Sequence, residues 1–334
     1  HRMELLSASA LSEQALTLLP EGDRFLRSIM IWTASLAQLS QAELEDGQQA
    51  LEAVARTGEE FGNPLVAVAA LCHLAKLQTR QGRLHRAKEN LEQALRLATD
   101  DRGTRLPIAS EAFIGLGELE LEWDNLELAN TCLTQGIELG GHWSQLAAFD
   151  AYFPLARIRL ASGDETAALE AIRTARSIAR KSRETEVDDR VAEFEQAYFY
   201  AIQGNINQVR RWAQVRGLIP AASPVPGSPP DEQEDFIGAH LWKYEQLLLA
   251  RLYILQQQPK QALCILIPLL EMVQRLGRVD MTIKVQLLRA HALQVLGQRA
   301  SALDALADAL SLAEPGGYLR TFLDEGKAMA NLLH

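Results

Sequence analysis

The sequence predicts an all-α, right-handed superhelical solenoid of about seven to eight helix pairs, and three observations lead there. A small residue recurs about every 40 positions, at Gly47, Ala87, Ala129, Ala168, Val209, Ala262 and Ala302. Each follows a turn-like residue by five, at Ala42, Gly82, Asp124, Gly163, Gly204, Gln257 and Gly297, with gaps of 40, 42, 39, 41, 53 and 40. Apolar residues on both sides of these turns keep helical spacing. Self-similarity at such a period marks a solenoid in which each unit contacts only its neighbours, and it excludes most enzyme folds.

The elements follow in chain order. A lone helix over about Glu4–Leu19 reads as the second half of an incomplete unit, and Ser28–Val54 is the first full pair. Leu65–Thr99 shows the unit most clearly. Leu71, Leu74, Ala75 and Leu77 form one stripe, Gln81-Gly82-Arg83 breaks it, and Leu84, Ala87, Leu91, Ala94 and Leu95 form the next. Glycine at the break suits a left-handed helix end, and the small Ala87 lets two antiparallel helices approach closely. This is a helix–turn–helix unit of tetratricopeptide type. Ala112–Gly136, Ala151–Ala175, Ala192–Ala213, Leu247–Val273 and Lys284–Leu312 repeat it, for about fifteen helices and no strand. The period exceeds the usual ~34 residues, so helices or loops are longer and the pitch should differ.

The 53-residue gap holds one linker, Gly217–Asp235, with five of the twelve prolines: Pro220, Pro224, Pro226, Pro229 and Pro230. Proline cannot continue a helix, so this is read as a long surface loop inside a single array spanning 1–334. Pro154 and Pro268 fall within helical patterns; each should kink its helix or mark a first turn.

Composition narrows the class. With 33 basic and 43 acidic residues the formal charge is −10, and no Lys/Arg-rich run is present, so nucleic-acid binding by this chain is not expected. Cys72, Cys132 and Cys264 are far apart in apolar helical patterns and read as buried thiols in a reducing compartment. No apolar run approaches ~20 residues and no signal-peptide profile opens the chain, so a soluble cytoplasmic protein without membrane contact is expected. There is no GxxxxGK[ST], HExxH, GxSxG or GxGxxG, and the seven histidines are not spaced for a metal. No catalysis, cofactor or metal is expected of this chain.

Binding remains, and the repeat register says where. The inner wall of stacked helix pairs comes mainly from the first helix of each pair. Six residues before each turn stand Leu36, Lys76, Glu118, Arg157, Tyr198, Arg251 and His291. Ten before stand Trp32, Cys72, Ile114, Phe153, Phe194, Leu247 and Leu287. One helical turn earlier come Ile29, Ala69, Glu111, Asp150, Val191, Tyr244 and Lys284. Spacings of three and four share a face. The candidate groove residues are Glu111, Glu118, Asp150, Phe153, Arg157, Phe194, Tyr198, Tyr244, Arg251 and His291, where aromatic faces beside fixed charges suit a polar organic ligand or a peptide. The bland alternative is that Glu118 and Arg157 form an inter-repeat ion pair and that Phe153 and Phe194 are core. Trp123 and Trp143 read as packing or capping residues.

Four stretches carry a resemblance: GRLHRAKENLEQALRLA (Gly82–Ala98), GLGELELEWDNLELANTCLTQGIELG (Gly115–Gly140), YEQLLLARLYILQQQPKQALCIL (Tyr244–Leu266) and ALADALSLAEPGGYLRTFLDEGKAMANLL (Ala305–Leu333). The chain resembles the tetratricopeptide-like sensor region of MalT-type bacterial transcription activators, large ATP-dependent proteins with a LuxR-type DNA-binding end. Ala313–Gly326 fits the family's "AEPxGYxRxFxDEG" segment throughout. Pro268, Gly47 and Val209 depart from the family pattern. The resemblance implies an N-terminal ATPase that holds the ATP, this sensor array and a C-terminal helix-turn-helix domain. The chain is accordingly expected to be an excised sensor fragment, with His1 an expression remnant. It also implies that inducer binding, with nucleotide in the ATPase, favours self-association and promoter binding. Inducers in the family vary, a malto-oligosaccharide being the best known. Two functions stay open: a sensor binding a small inducer in its groove, and a protein-interaction scaffold with no small ligand.

Overall fold

A computed structural model describes residues 2–39, 44–143, 145–182, 186–219 and 236–333. They form an all-helical array. The lone helix is α1 (Arg2–Leu18), and seven pairs follow. These are α2 (Arg24–Leu39) with α3 (Leu44–Glu60), α4 (Pro64–Arg80) with α5 (Leu84–Leu97), and α6 (Ala109–Glu122) with α7 (Leu126–Trp143). Next come α8 (Tyr152–Ala161) with α9 (Glu165–Ser182), α10 (Glu186–Ile202) with α11 (Ile206–Val215), α12 (Phe236–Leu255) with α13 (Pro259–Arg275), and α14 (Val279–Val295) with α15 (Arg299–Ala313). Two short helices, α16 (Arg320–Leu323) and α17 (Gly326–Leu333), end the described chain.

The turn ruler holds at every described position. Gly82, Asp124, Gly163, Gly204, Gln257 and Gly297 all have φ between 59° and 81°; Ala42 lies outside the described residues. Each closes its helix with the same two hydrogen bonds, as where Gly82 N donates to Thr79 O (3.0 Å) and Arg83 N to Gln78 O (2.8 Å). That satisfies two otherwise orphaned carbonyls and requires the left-handed residue between them. Five residues on, Ala87, Ala129, Ala168, Val209, Ala262 and Ala302 are fully buried. Each fills the crossing of its pair, where a larger side chain would force the helices apart.

Other local features follow from residue type. Asn63 caps α4 by accepting from Val66 N (3.4 Å) and donates to Ser28 Oγ (2.9 Å), with Pro64 in the first helical position. Pro154 sits in the first turn of α8, after a 3-10 segment over Gln145–Ala151. Pro268 lies inside α13 on its exposed side. The prolines of the long linker lie outside the described residues. The helices flanking it are tied by Glu245, buried on α12, which accepts from Arg190 of α10 (3.1 and 2.9 Å) and from Arg216 beyond α11 (3.3 and 3.2 Å).

Two expectations are corrected. Cys72 and Cys132 are buried, but Cys264 is exposed. On α13 the core residues are Ala262, Ile265, Leu266, Leu269 and Val273, and position 264 falls on the opposite face. More consequentially, the units do not touch only their neighbours. The array turns back so that α14 packs on α4, and one core runs through Ala70, Leu71 and Ala75 to Ile283, Leu287 and Ala290. At this seam a Cβ on Gly82 would stand 2.7 Å from Val279 Cγ1. The groove is therefore an enclosed channel.

The turns supply a paired test. Gly82→Ala meets both backbone strain and Val279, whereas Gly297→Ala meets open space and strain alone. Gly297→Ala should cost about 1–2 kcal/mol in urea unfolding and Gly82→Ala more, while Gln257→Gly should gain about 1 kcal/mol.

Candidate functional site: the channel and its strap

The channel is partly filled by the chain itself. After α15, Glu314–Glu325 runs back through the interior as a strap. Two adjacent glycines are required there. A Cβ on Gly316 would lie 2.8 Å from Gly82 O, and Gly317 has φ 70° beside the Trp123 indole. Trp123 Nε1 donates to Gly316 O (2.8 Å), its ring stacks on His85 (5.3 Å), and Lys88 lies over it (5.2 Å). The buried Tyr318 hydroxyl donates to Thr79 O (3.2 Å). Leu319 N donates to Glu122 O (3.0 Å), and Thr321 gives its N–H and hydroxyl to the Glu122 carboxylate (2.8 and 2.9 Å).

Charge fixes the far end of the strap. Arg157 donates twice to Asp324 Oδ2 (2.7 and 3.1 Å), Arg320 donates to Asp324 Oδ1 (2.7 Å) and to Asp124 (2.9 Å), and Arg251 pairs with Glu325. His291 Nδ1 stands 3.7 Å from the same Glu325 carboxylate. Burial pushes the Asp324 carboxyl up, but Arg157 and Arg320 outweigh it and hold the group below the usual carboxylate range.

The candidate residues separate into three groups. Arg157, Phe194, Tyr198, Tyr244 and Arg251 converge on one cavity of about 100 Å³, with Glu195, Leu247, Leu248, Lys284, Leu288, Thr321 and Glu325. Phe194 stacks on Tyr198 (6.2 Å) and meets Tyr244 edge-on (5.9 Å), while Arg251 lies over the Tyr198 ring (5.8 Å). Glu111, Glu118 and Asp150 do not line this cavity; Glu118 and Asp150 are open to solvent, and the buried Oε2 of Glu111 has no hydrogen-bond partner among the described residues. Phe153 is core, edge-on to Phe149 at 5.0 Å. His291 serves the strap rather than the cavity.

The column ten before each turn is buried at Cys72, Ile114, Phe153, Phe194, Leu247 and Leu287, and of these Phe194 and Leu247 also line the cavity. Residues of the flanking columns reach the channel as well. Arg157 pairs with Asp324, across the channel on the strap. Trp123 is packing and anchor together; the side chains of Leu36 and Trp143 lie outside the described residues. Glu195, Thr321 and Glu325 were missed by register counting, because Glu195 falls between columns and the strap belongs to no unit. The Gly-Gly-Tyr followed by Asp-Glu in Gly316–Glu325 was the available signal.

Two carboxyls facing the channel are shifted upward. Enclosure by the surrounding helices pushes Glu195 up to about 7, against Arg157 and Lys284 and with Asp150 adding to the push. Glu118 is likewise pushed up to about 7 by enclosure and Asp150, against Lys76 and Arg157; its exposure to channel water tempers that push.

Two outcomes follow. Asp324→Asn removes the acceptor shared by Arg157 and Arg320; amide exchange over Tyr318–Glu325 should speed, with a stability loss of about 1–3 kcal/mol since Arg157 is part-exposed. For Glu195, a carboxyl raised in the folded state binds its proton more tightly than when unfolded. Its penalty therefore grows as pH rises from the ordinary carboxylate range to about 7. Glu195→Gln should leave melting temperature unchanged below that range and raise it at pH 8.

No helix among the described residues is long and apolar enough to cross a membrane. The family model for the MalT-like TPR region matches residues 2–334. No curated protein matches the chain. The helix pairs, the left-handed turns and the strap all lie within that match, and the chain belongs to the MalT-like TPR region family, the tetratricopeptide-like regulatory segment of MalT-type activators.

Proposed function

We propose that this chain is a ligand-sensing module: a small inducer occupies the channel cavity, and the strap passes its occupancy to the ATPase and DNA-binding parts of an activator. The observation that carries this is the composition of the cavity wall. One side is repeat helices, bearing Phe194, Tyr198, Tyr244 and Arg251; the other is strap, bearing Thr321 and Glu325. An occupant must touch both, so its binding energy depends on where the strap lies, which is the differential contact that coupling requires. In this reading the chain has no catalysis of its own, and ligands larger than the cavity enter by displacing the strap.

The alternative is a scaffold that docks a partner protein and binds no small molecule. Exposed Leu11, Leu18 and Phe25 on and beside the first two helices favour it.

A thermal-shift screen of sugars and metabolites, followed by hydrogen exchange, separates the two. The sensor reading expects a stabilising compound that changes amide protection over Leu319–Glu325 and whose effect is lost in Tyr198→Ala. A stoichiometric protein partner whose capture is insensitive to every metabolite, with no compound stabilising the chain, would support the scaffold instead.

A further inference from the structure

The last two residues of the strap mark a binding preference of the array. Arg157 donates from Nε and Nη2 to Asp324 Oδ2 (3.1 and 2.7 Å), and Arg251 donates from Nη2 to Glu325 Oε1. Both guanidiniums belong to the repeats and both carboxylates to the strap. Asp324 and Glu325 thus behave as a tethered ligand of two arginines.

Charge restricts what can take their place. Lys284 has carboxylates of the array itself in range, Asp280 and Glu195, and these stay if the strap leaves. Among the described residues, Arg157 and Arg251 have their ion-pair partners on the strap alone. A departing strap strands both guanidiniums, and breaking an enclosed pair from one side is strongly destabilising. A replacement must therefore bring two negative charges. The strap's own seat is imperfect: Glu325 Oε2 is buried with no hydrogen-bond partner among the described residues, and such an unmade bond costs free energy.

Shape narrows the occupant further. Leu247, Leu248, Leu288 and the Tyr198 ring, over which Arg251 lies at 5.8 Å, offer apolar surface to a short methylene chain. With the strap seated the cavity is only about 100 Å³, smaller than the roughly 150 Å³ void that holds one benzene ring. A molecule with two carboxylates therefore enters by displacing Asp324 and Glu325, and it uses the space they leave.

We propose that the array binds a short aliphatic dicarboxylate in place of Asp324 and Glu325, one carboxylate on Arg157 and the other on Arg251. This rests on the sensor reading, assigns its ligand class and makes the strap a competitor held in cis.

The test is calorimetry and amide exchange on the chain with succinate, glutarate and adipate, against butyrate and succinamide. A tethered competitor acts at roughly millimolar effective concentration. The best dicarboxylate should therefore bind in that weak range, yet about tenfold more tightly than butyrate or succinamide. Its binding should speed exchange over Tyr318–Glu325. Glu325→Gln weakens the competitor and should tighten dicarboxylate binding about threefold or more, whereas Glu314→Gln, at an exposed acid where the strap begins, should leave it unchanged. Arg251→Gln should abolish the preference for two carboxylates; should that variant fail to fold, the two glutamate variants still decide. No dicarboxylate binding, binding no tighter than butyrate, slowed strap exchange, or equal effects of Glu325→Gln and Glu314→Gln overturns the proposal. Stabilisation by a neutral sugar with no dicarboxylate bound overturns the ligand class and leaves the sensor reading standing; no binding by any compound overturns both.

Discussion

Where the array meets itself, Val279 presses on a glycine with no room for a β-carbon. The interior depends on that seam. Tetratricopeptide arrays expose their inner walls, but here α14 returns to α4 and a shared core seals the join. What would be a groove becomes a channel. The pair of Arg251, with its side chain 13% exposed, and an almost buried Glu325 is strengthened by this enclosure, because such pairs gain strength as water is excluded. The same enclosure gives Glu195 its proton affinity.

The channel has two characters along its length. Around α4, α6 and α8, Lys76, Glu118 and Asp150 remain hydrated. Around α10, α12 and α14, the strap closes over aromatic and apolar side chains and leaves a small cavity. Arg157 stands at the boundary, on α8 but paired with the strap. Binding chemistry and strap chemistry thus share residues. That sharing gives an occupant of the cavity a way to act on a segment outside the repeats.

Much of the fold was legible because its determinants are local. Asp124 and Gln257 are placed at turns by the spacing of Ala129 and Ala262, and the structure shows both in the left-handed conformation despite not being glycine. The site was legible only in part. Arg157, Tyr198, Tyr244 and Arg251 share one cavity because helical periodicity carries columns onto one face. Phe153 packs in the core against Phe149, whereas Phe194 and Leu247 of the same column also line the cavity. Cys264 was misread because an apolar neighbourhood in sequence does not say which face of α13 a residue takes. The closure and the strap were out of reach, since closure sums small rotations over five units. The strap's bonds also span 74 to 239 residues.

Those spans bear on how the molecule forms. Helix pairs can assemble in sequence from near-neighbour contacts, with little loop entropy to overcome at each step. The strap cannot, because its partners Thr79, Trp123 and Glu122 must first be carried into place by units that themselves have to curl round. By sequence separation the strap's contacts are thus among the costliest in loop entropy, and they close over a wall that mixes basic, acidic and aromatic side chains.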